Sequence, residues 1–168
     1  LAGVSGSGKS TTALACALAG LGFTDDDFCV VEPGAPPVAH ALYAIAKVDD
    51  AALALLPALR ERVVWDERTL EGKALVAPGT VAPALPLRAI VVPHVGTRTG
   101  PLQPAGAAQA LLALAPSTLI QLPGSRPVDH AAIAELARAL PVFRLELGPD
   151  PDAVVAAALR AVQDAAAV

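Results

Sequence analysis

Gly3-Val4-Ser5-Gly6-Ser7-Gly8-Lys9-Ser10-Thr11 stands almost at the start of the chain and fits G-x-x-x-x-G-K-[ST] at every defined position. Each residue type answers a physical demand. Glycines let backbone N–H groups converge on a phosphate with no Cβ in the way. A helix that follows directly points its positive end at the same anion. Lys9 supplies charge for β- and γ-phosphates, and the Ser10 hydroxyl suits a Mg²⁺ ion. Gly3, Ser5, Gly6, Ser7, Gly8, Lys9, Ser10 and Thr11 are therefore the expected nucleotide-binding residues, with ATP and Mg²⁺ as cofactors. The required helix is at hand. Residues 9–19 (KSTTALACALA) are rich in Ala, carry Leu14 and Leu18 four apart on one face, and end at Gly20.

Leu21 to Thr24 then reads as a short strand, followed by Asp25-Asp26-Asp27 and the apolar stretch Phe28 to Val31. A helix from Lys9 to Ala19 carries the chain roughly 16 Å from the loop. A strand from Leu21 to Asp26 returns it roughly 20 Å. The acidic triplet should therefore come back to the height of the phosphates. Carboxylates there can hold Mg²⁺ or take a proton from an attacking hydroxyl. On an extended strand Asp25 and Asp27 would face one way and Asp26 the other.

Composition bounds the rest. The 168 residues suit a single domain over 1–168, and 54% hydrophobic residues with 17% charged exclude an intrinsically disordered chain. Aromatics are only 3%, so the core must be aliphatic. Mean hydropathy is +0.55, yet no apolar run reaches membrane-span length. A net charge of −4 and no dense Lys/Arg cluster argue against a nucleic-acid partner or a polybasic membrane patch. Cys16 and Cys29 read as buried free thiols of a reducing compartment, and no signal peptide is seen, so a cytoplasmic location is expected. The strand that normally precedes such a loop is reduced to Leu1-Ala2, which reads as a fragment lacking its first strand.

Further along, Asp49-Asp50 can cap a helix carrying Leu53, Leu56 and Leu59, with Pro57 kinking it or starting a new one. Arg62 to Asp66 and Ala74 to Ala77 read as strands, as in a hairpin; Pro78 to Pro86 reads as irregular. Leu87 to Val92 has the signature of a buried central strand, and HVGTRTGPLQP that of a loop. Helices are expected over 105–115, 129–139 (Asp129 as cap; Ile133, Leu136 and Leu140 buried) and 151–166 (Asp150 as cap; Val155, Leu159 and Val162 buried). Val142 to Leu147 alternates like an edge strand. Strands alternating with helices indicate an α/β fold built on a mixed, mainly parallel central sheet flanked by helices.

The loop, the Ala-rich helix and a short strand ending in acids together resemble the HPr kinase family, whose broader clan is similar to phosphoenolpyruvate carboxykinases. In that family an Asp pair follows the loop lysine by 17 and 18 residues, which falls here on Asp26 and Asp27. The segments ALYAIAKVDD, RVVWDE, LPLRAIVVP, LAPSTLIQLPG and PVFRLELGPDP look like its serine kinase-like members. The resemblance implies a P-loop core of the HPr-kinase and PEP-carboxykinase kind. It also implies transfer of the ATP γ-phosphate to a hydroxyl, that of a protein serine or a similar acceptor, and a homo-oligomer. Asp26 would match the acid/base and Asp27 the carboxylate near Mg²⁺, assignments that could be exchanged. The chain departs from the pattern at Val4, where the family has Asp. It departs again at Pro86-Leu87-Arg88-Ala89, where the family has Glu-x-Arg-Gly with the Glu near the metal.

Weaker candidates are Arg98, in a Gly-rich loop where it could steady a transferring phosphoryl group, and Lys47, which could meet phosphate or substrate. Arg88 is read as an ion-pair partner, His40, His94 and His130 as surface or structural, and Trp65 as a core or hinge aromatic. Two other functions compete. GVSGSGKS also occurs in gluconate-kinase-like small-molecule kinases, but no lid with paired Arg is evident. A chain without the family Glu could instead bind ATP as a sensor or scaffold. An ABC or motor ATPase is disfavoured, since no LSGGQ-like segment is present.

Overall fold

Helix α1 (Lys9–Leu18) forms where Ala and Leu dominate, and its Leu14 is fully buried. A computed structural model describes residues 1–67, 72–120 and 127–166. After α1 come β1 (Cys29–Glu32), β2 (Val38–Ala41), β3 (Ala46–Val48), α2 (Asp50–Leu55), β4 (Val63–Trp65), β5 (Ala74–Val76), β6 (Ala84–Pro86), β7 (Ile90–Val95) and β8 (Gln103–Ala105). They are followed by α3 (Ala107–Ala115), α4 (Pro127–Ala139), β9 (Val142–Leu147) and α5 (Pro151–Ala166). Asp49 caps α2 by accepting the Ala52 N–H at 2.8 Å, and Pro57 opens a separate 3₁₀ segment, Pro57–Arg62. Asp150 caps α5 through the N–H groups of Asp152 and Ala153.

The chain is a mixed α/β protein with three small sheets, ordered β1-β2-β6, β3-β5-β4 and β7-β9-β8. The mainly parallel central sheet expected from the helix–strand alternation is not what forms. Among the described residues the one parallel ladder is β7 with β9, joined by an isolated parallel bridge between Phe23 and Val81. The cause is connection length. The short Pro33–Pro37 turn returns β2 antiparallel to β1, whereas α3 and α4 lie between β7 and β9 and allow a crossover. Leu21 to Thr24 accordingly contributes the Phe23 bridge rather than a strand.

Several further expectations shift. Pro78–Pro86 is not wholly irregular, because β6 pairs with β2. HVGTRTGPLQP holds the end of β7 and the start of β8. The buried strand begins at Ile90, and the central place in its sheet goes to β9, not to an edge. Val142 of β9 joins the cluster under α3 and α4, while Leu145 and Leu147 join Val154 and Ala157 of α5, so both faces of β9 are covered. Only Arg144 and Glu146 break its apolar run. In α5 the buried stripe is Val154, Ala157 and Ala161, while Leu159 and Val162 are exposed. Small alanines let α5 lie close to its neighbours; the expected Val155 packs partly buried against the α1 cluster, whereas Leu159 and Val162 face outward. Asp129 lies inside the first turn of α4, which starts at Pro127. α3 ends at Ala115, where the expected helix ends, and Pro116, itself at helical angles, leads into a π turn, Pro116–Ile120. The segment LAPSTLIQLPG runs past Ile120 outside the described residues. Trp65 is 53% exposed rather than in the core, and Cys29 is exposed while Cys16 is half-buried.

A second cluster positions the site. Leu14 and Ala15 of α1 pack with Ala46, Val48, Ala74 and Val76 of the β3-β5-β4 sheet and with Leu53, Leu56 and Leu59. This anchors α1 beside β3, and β3 carries Lys47.

Candidate functional site

The loop is held from both ends. The Ala2 N–H donates to the Val91 carbonyl at 2.9 Å, which fixes the entry beside β7, and the Thr12 N–H donates to the Gly8 carbonyl at 2.9 Å, which starts α1. Between them the Ser7 N–H closes on the Val4 carbonyl at 3.3 Å. Gly6 and Gly8 have φ of 77° and 90°, the left-handed region that costs any other L-residue strain. A Cβ on Gly8 would also meet the Leu147 Cδ1 at 2.5 Å, because the ends of β7 and β9 press against the loop. No side chain caps α1, and no acid lies in its first turn. Its amide donors are thus not engaged by a capping side chain, as an anion site requires. The Lys9 Nζ folds back to the Val4 carbonyl at 2.9 Å and so spans the loop.

The chain bends at Asp26 and Asp27 rather than running extended, so the expected alternation of Asp25 and Asp27 against Asp26 does not hold. Asp25 is a bracket. Its carboxylate accepts the N–H groups of Asp26 at 2.9 Å, Leu42 at 2.5 Å and Tyr43 at 3.1 Å. Asp26 and Asp27 instead converge on Lys47. The Lys47 backbone N–H donates to the Asp26 Oδ2 at 2.9 Å, and its Nζ lies 2.9 Å from the Asp27 Oδ2. The other oxygen of Asp26, Oδ1, is buried with no hydrogen-bond partner among the described residues.

The loop and the acids share one electrostatic field. Partial burial holds the Lys9 ammonium below the usual lysine range; Asp26 and Asp27 pull it back up, and Lys73 pushes it down again. Lys47 thus meets both adjacent carboxylates, and the same two carboxylates act on the charge of Lys9. Sequence reading placed Lys9, Asp26 and Asp27 and ranked Lys47 as a weaker candidate; it did not single out Lys73. The available signal was scarcity, since a chain with three lysines in 168 residues spends none of them on general solubility.

Among the described residues no group of three or more His, Cys, Asp or Glu could hold a metal by itself. An ion such as Mg²⁺, which keeps waters and ligand oxygens, needs only one or two protein carboxylates. The unpartnered Asp26 Oδ1, the Asp27 carboxylate and the Ser10 hydroxyl supply donors of that hard oxygen kind.

Arg98 follows Thr97 and lies against Gly148. It is exposed in the loop after β7, beside Thr99, whose hydroxyl accepts the Gly148 N–H at 3.1 Å. Arg88 is exposed ahead of β7, and Pro86 ends β6. His40 pairs with Glu32 at 2.9 Å on the outer hairpin, and His94 and His130 are exposed. No helix among the described residues is long and apolar enough to cross a membrane. Neither a protein-family model, nor a curated protein, nor a solved structure matches the chain.

Proposed function

We propose that this chain is an ATP- and Mg²⁺-dependent phosphotransferase with an HPr-kinase-like P-loop core, moving the γ-phosphate to a hydroxyl acceptor such as a protein serine. One observation carries the reading: the loop lysine and two adjacent carboxylates 17 and 18 residues away in sequence lie in one field, as phosphoryl transfer needs. The loop amides and Lys9 would bind the phosphate oxygens, and the first turn of α1 would add its positive end. Asp26, fixed through Oδ2 by the Lys47 N–H, has an uncommitted Oδ1 that would take the proton of the attacking hydroxyl once substrate binding exposes it, since it is buried in this conformation. As that oxygen bonds to the γ-phosphorus, the bond to the β-phosphate oxygen breaks, and ADP leaves. Ser10 and Asp27 would hold Mg²⁺, which when bound neutralises charge on the β- and γ-phosphates. Lys47 orients Asp27 and adds positive charge at the same end.

The test is transfer or hydrolysis of radiolabelled ATP by wild type, Lys9→Ala and Asp26→Asn. The proposal expects turnover that both substitutions abolish. ATP binding without turnover in the wild type would instead favour a sensor or scaffold, and phosphorylation of small polyols alone a small-molecule kinase.

A further inference from the structure

Two cavities flank the loop. One, of about 410 Å³, lies on the Gly3–Ser7 side and carries the polar side chains of His94, Gln109 and Arg144. The other, of about 500 Å³, begins at Gly8 and runs along Thr11 and Thr12 of the first α1 turn. Its far walls are the ends of the two parallel strands: Val95–Thr97 after β7, and Leu147–Pro149 after β9. Leu55 and Leu56 at the end of α2 close a third side. Parallel strands offer ligands their carboxyl ends, and both volumes are of ligand size.

Resting on the phosphotransferase reading, we infer that the second cavity takes the nucleoside of the bound triphosphate and admits adenine and guanine about equally. Direction places it. With the γ end at Lys9 and the acids, a triphosphate following the first turn of α1 delivers its nucleoside at Thr11 and Thr12. The chemistry of the wall sets the selectivity. Its polar side chains are the hydroxyls of Thr11, Thr12 and Thr97, and a hydroxyl donates or accepts as the ligand requires. Two amides on the wall are already committed: the Gly96 N–H to the Leu147 carbonyl, and the Gly148 N–H to the Thr99 hydroxyl. Among the described residues no carboxylate or carboxamide side chain faces the cavity to read a 6-amino against a 6-oxo group. A pocket built on hydrogen bonds can reject a mismatched analogue by 10⁴-fold or so, whereas an apolar one discriminates by size alone, by roughly 10- to 200-fold. Purines fill more of the cavity than pyrimidines do.

The experiment is calorimetric titration of the whole chain, with Mg²⁺, against ATP, GTP, CTP, UTP and inorganic tripolyphosphate. The inference expects ATP and GTP within about threefold of each other, pyrimidine nucleotides several-fold weaker, and tripolyphosphate weaker still by about tenfold or more. Leu55→Ser, at a partly exposed wall position, should narrow the gap between ATP and tripolyphosphate and leave tripolyphosphate unchanged. A 100-fold preference for ATP over GTP overturns the inference. So does ATP binding no better than tripolyphosphate, or a Leu55→Ser variant with an unchanged gap; each of these leaves the loop reading standing. If neither tripolyphosphate nor any nucleotide binds, the phosphotransferase reading fails and this inference with it.

Discussion

Alanine at Gly8 and alanine at Gly6 should separate strain from crowding in the loop. Both glycines hold a positive φ, and each substitution costs about 1–2 kcal/mol on that ground. At Gly6 nothing among the described residues lies within 4 Å of the added Cβ, so the cost stops there. At Gly8 the new carbon meets Leu147 Cδ1 at 2.5 Å and Val95 Cγ2 at 3.6 Å, and Leu147 is only 5% exposed. Overpacking of that kind adds about 1–3 kcal/mol. For a chain of this length the unfolding entropy is about 350 cal/mol/K, so each kcal/mol moves the melting temperature by about 3 °C. Gly6→Ala should therefore melt about 3–6 °C below wild type and Gly8→Ala about 6–14 °C below. Differential scanning calorimetry reads both. Equal losses for the two variants, or a Gly8→Ala as stable as wild type, would refute the packing of β7 and β9 against the loop.

The remaining expectations are briefer. Lys47→Met should cost under about 1 kcal/mol, because the Asp27 pair is partly solvated, yet lower Mg²⁺-dependent transfer about 10- to 100-fold through the loss of Asp27's orienting partner; denaturant melts and initial rates check the split. Lys9 must be charged to hold phosphate, and its pKa lies below the ordinary 10.5. Nucleotide affinity should then fall with rising pH before that value is reached, and earlier still in Asp26→Asn or Asp27→Asn, which remove groups that raise it; affinity measured at stepped alkaline pH reads this. Leu14→Ala, at a fully buried site under α1, should cost about 3–5 kcal/mol in chemical denaturation and loosen the loop with the helix.

Local rules carried a good part of the fold. The extent of α1, the Asp49 cap and the Pro57 break follow from neighbouring residues, and the hairpin pairing of β4 with β5 was anticipated from their spacing. Sheet partners were less legible. The place of β9 depends on apolar contacts to α3, α4 and α5, distant in sequence, while its Arg144 and Glu146 mimic an edge. In α5 the sequence marks Val155, which packs partly buried against the α1 cluster, but not Ala157 and Ala161, because small alanines carry little hydrophobic signal of their own. At the site, the helix length counted after Lys9 holds, but the returning strand over Leu21 to Asp26 does not form, since Phe23 makes only an isolated bridge. The meeting of Lys47 with the acids was not legible either, because the bend at Asp26-Asp27 that turns both acids toward β3 depends on the Asp25 bracket to Leu42 and Tyr43.

Binding of ATP with Mn²⁺ in place of Mg²⁺, followed by backbone amide NMR, probes the shared site most directly, because the paramagnetic ion erases signals near it. The account predicts selective loss at Gly8, Lys9, Ser10, Asp26, Asp27 and Lys47, and no such loss with the Lys9→Ala variant. Broadening confined to another face of the molecule, or signals at the two acids that stay sharp while the loop broadens, would contradict it.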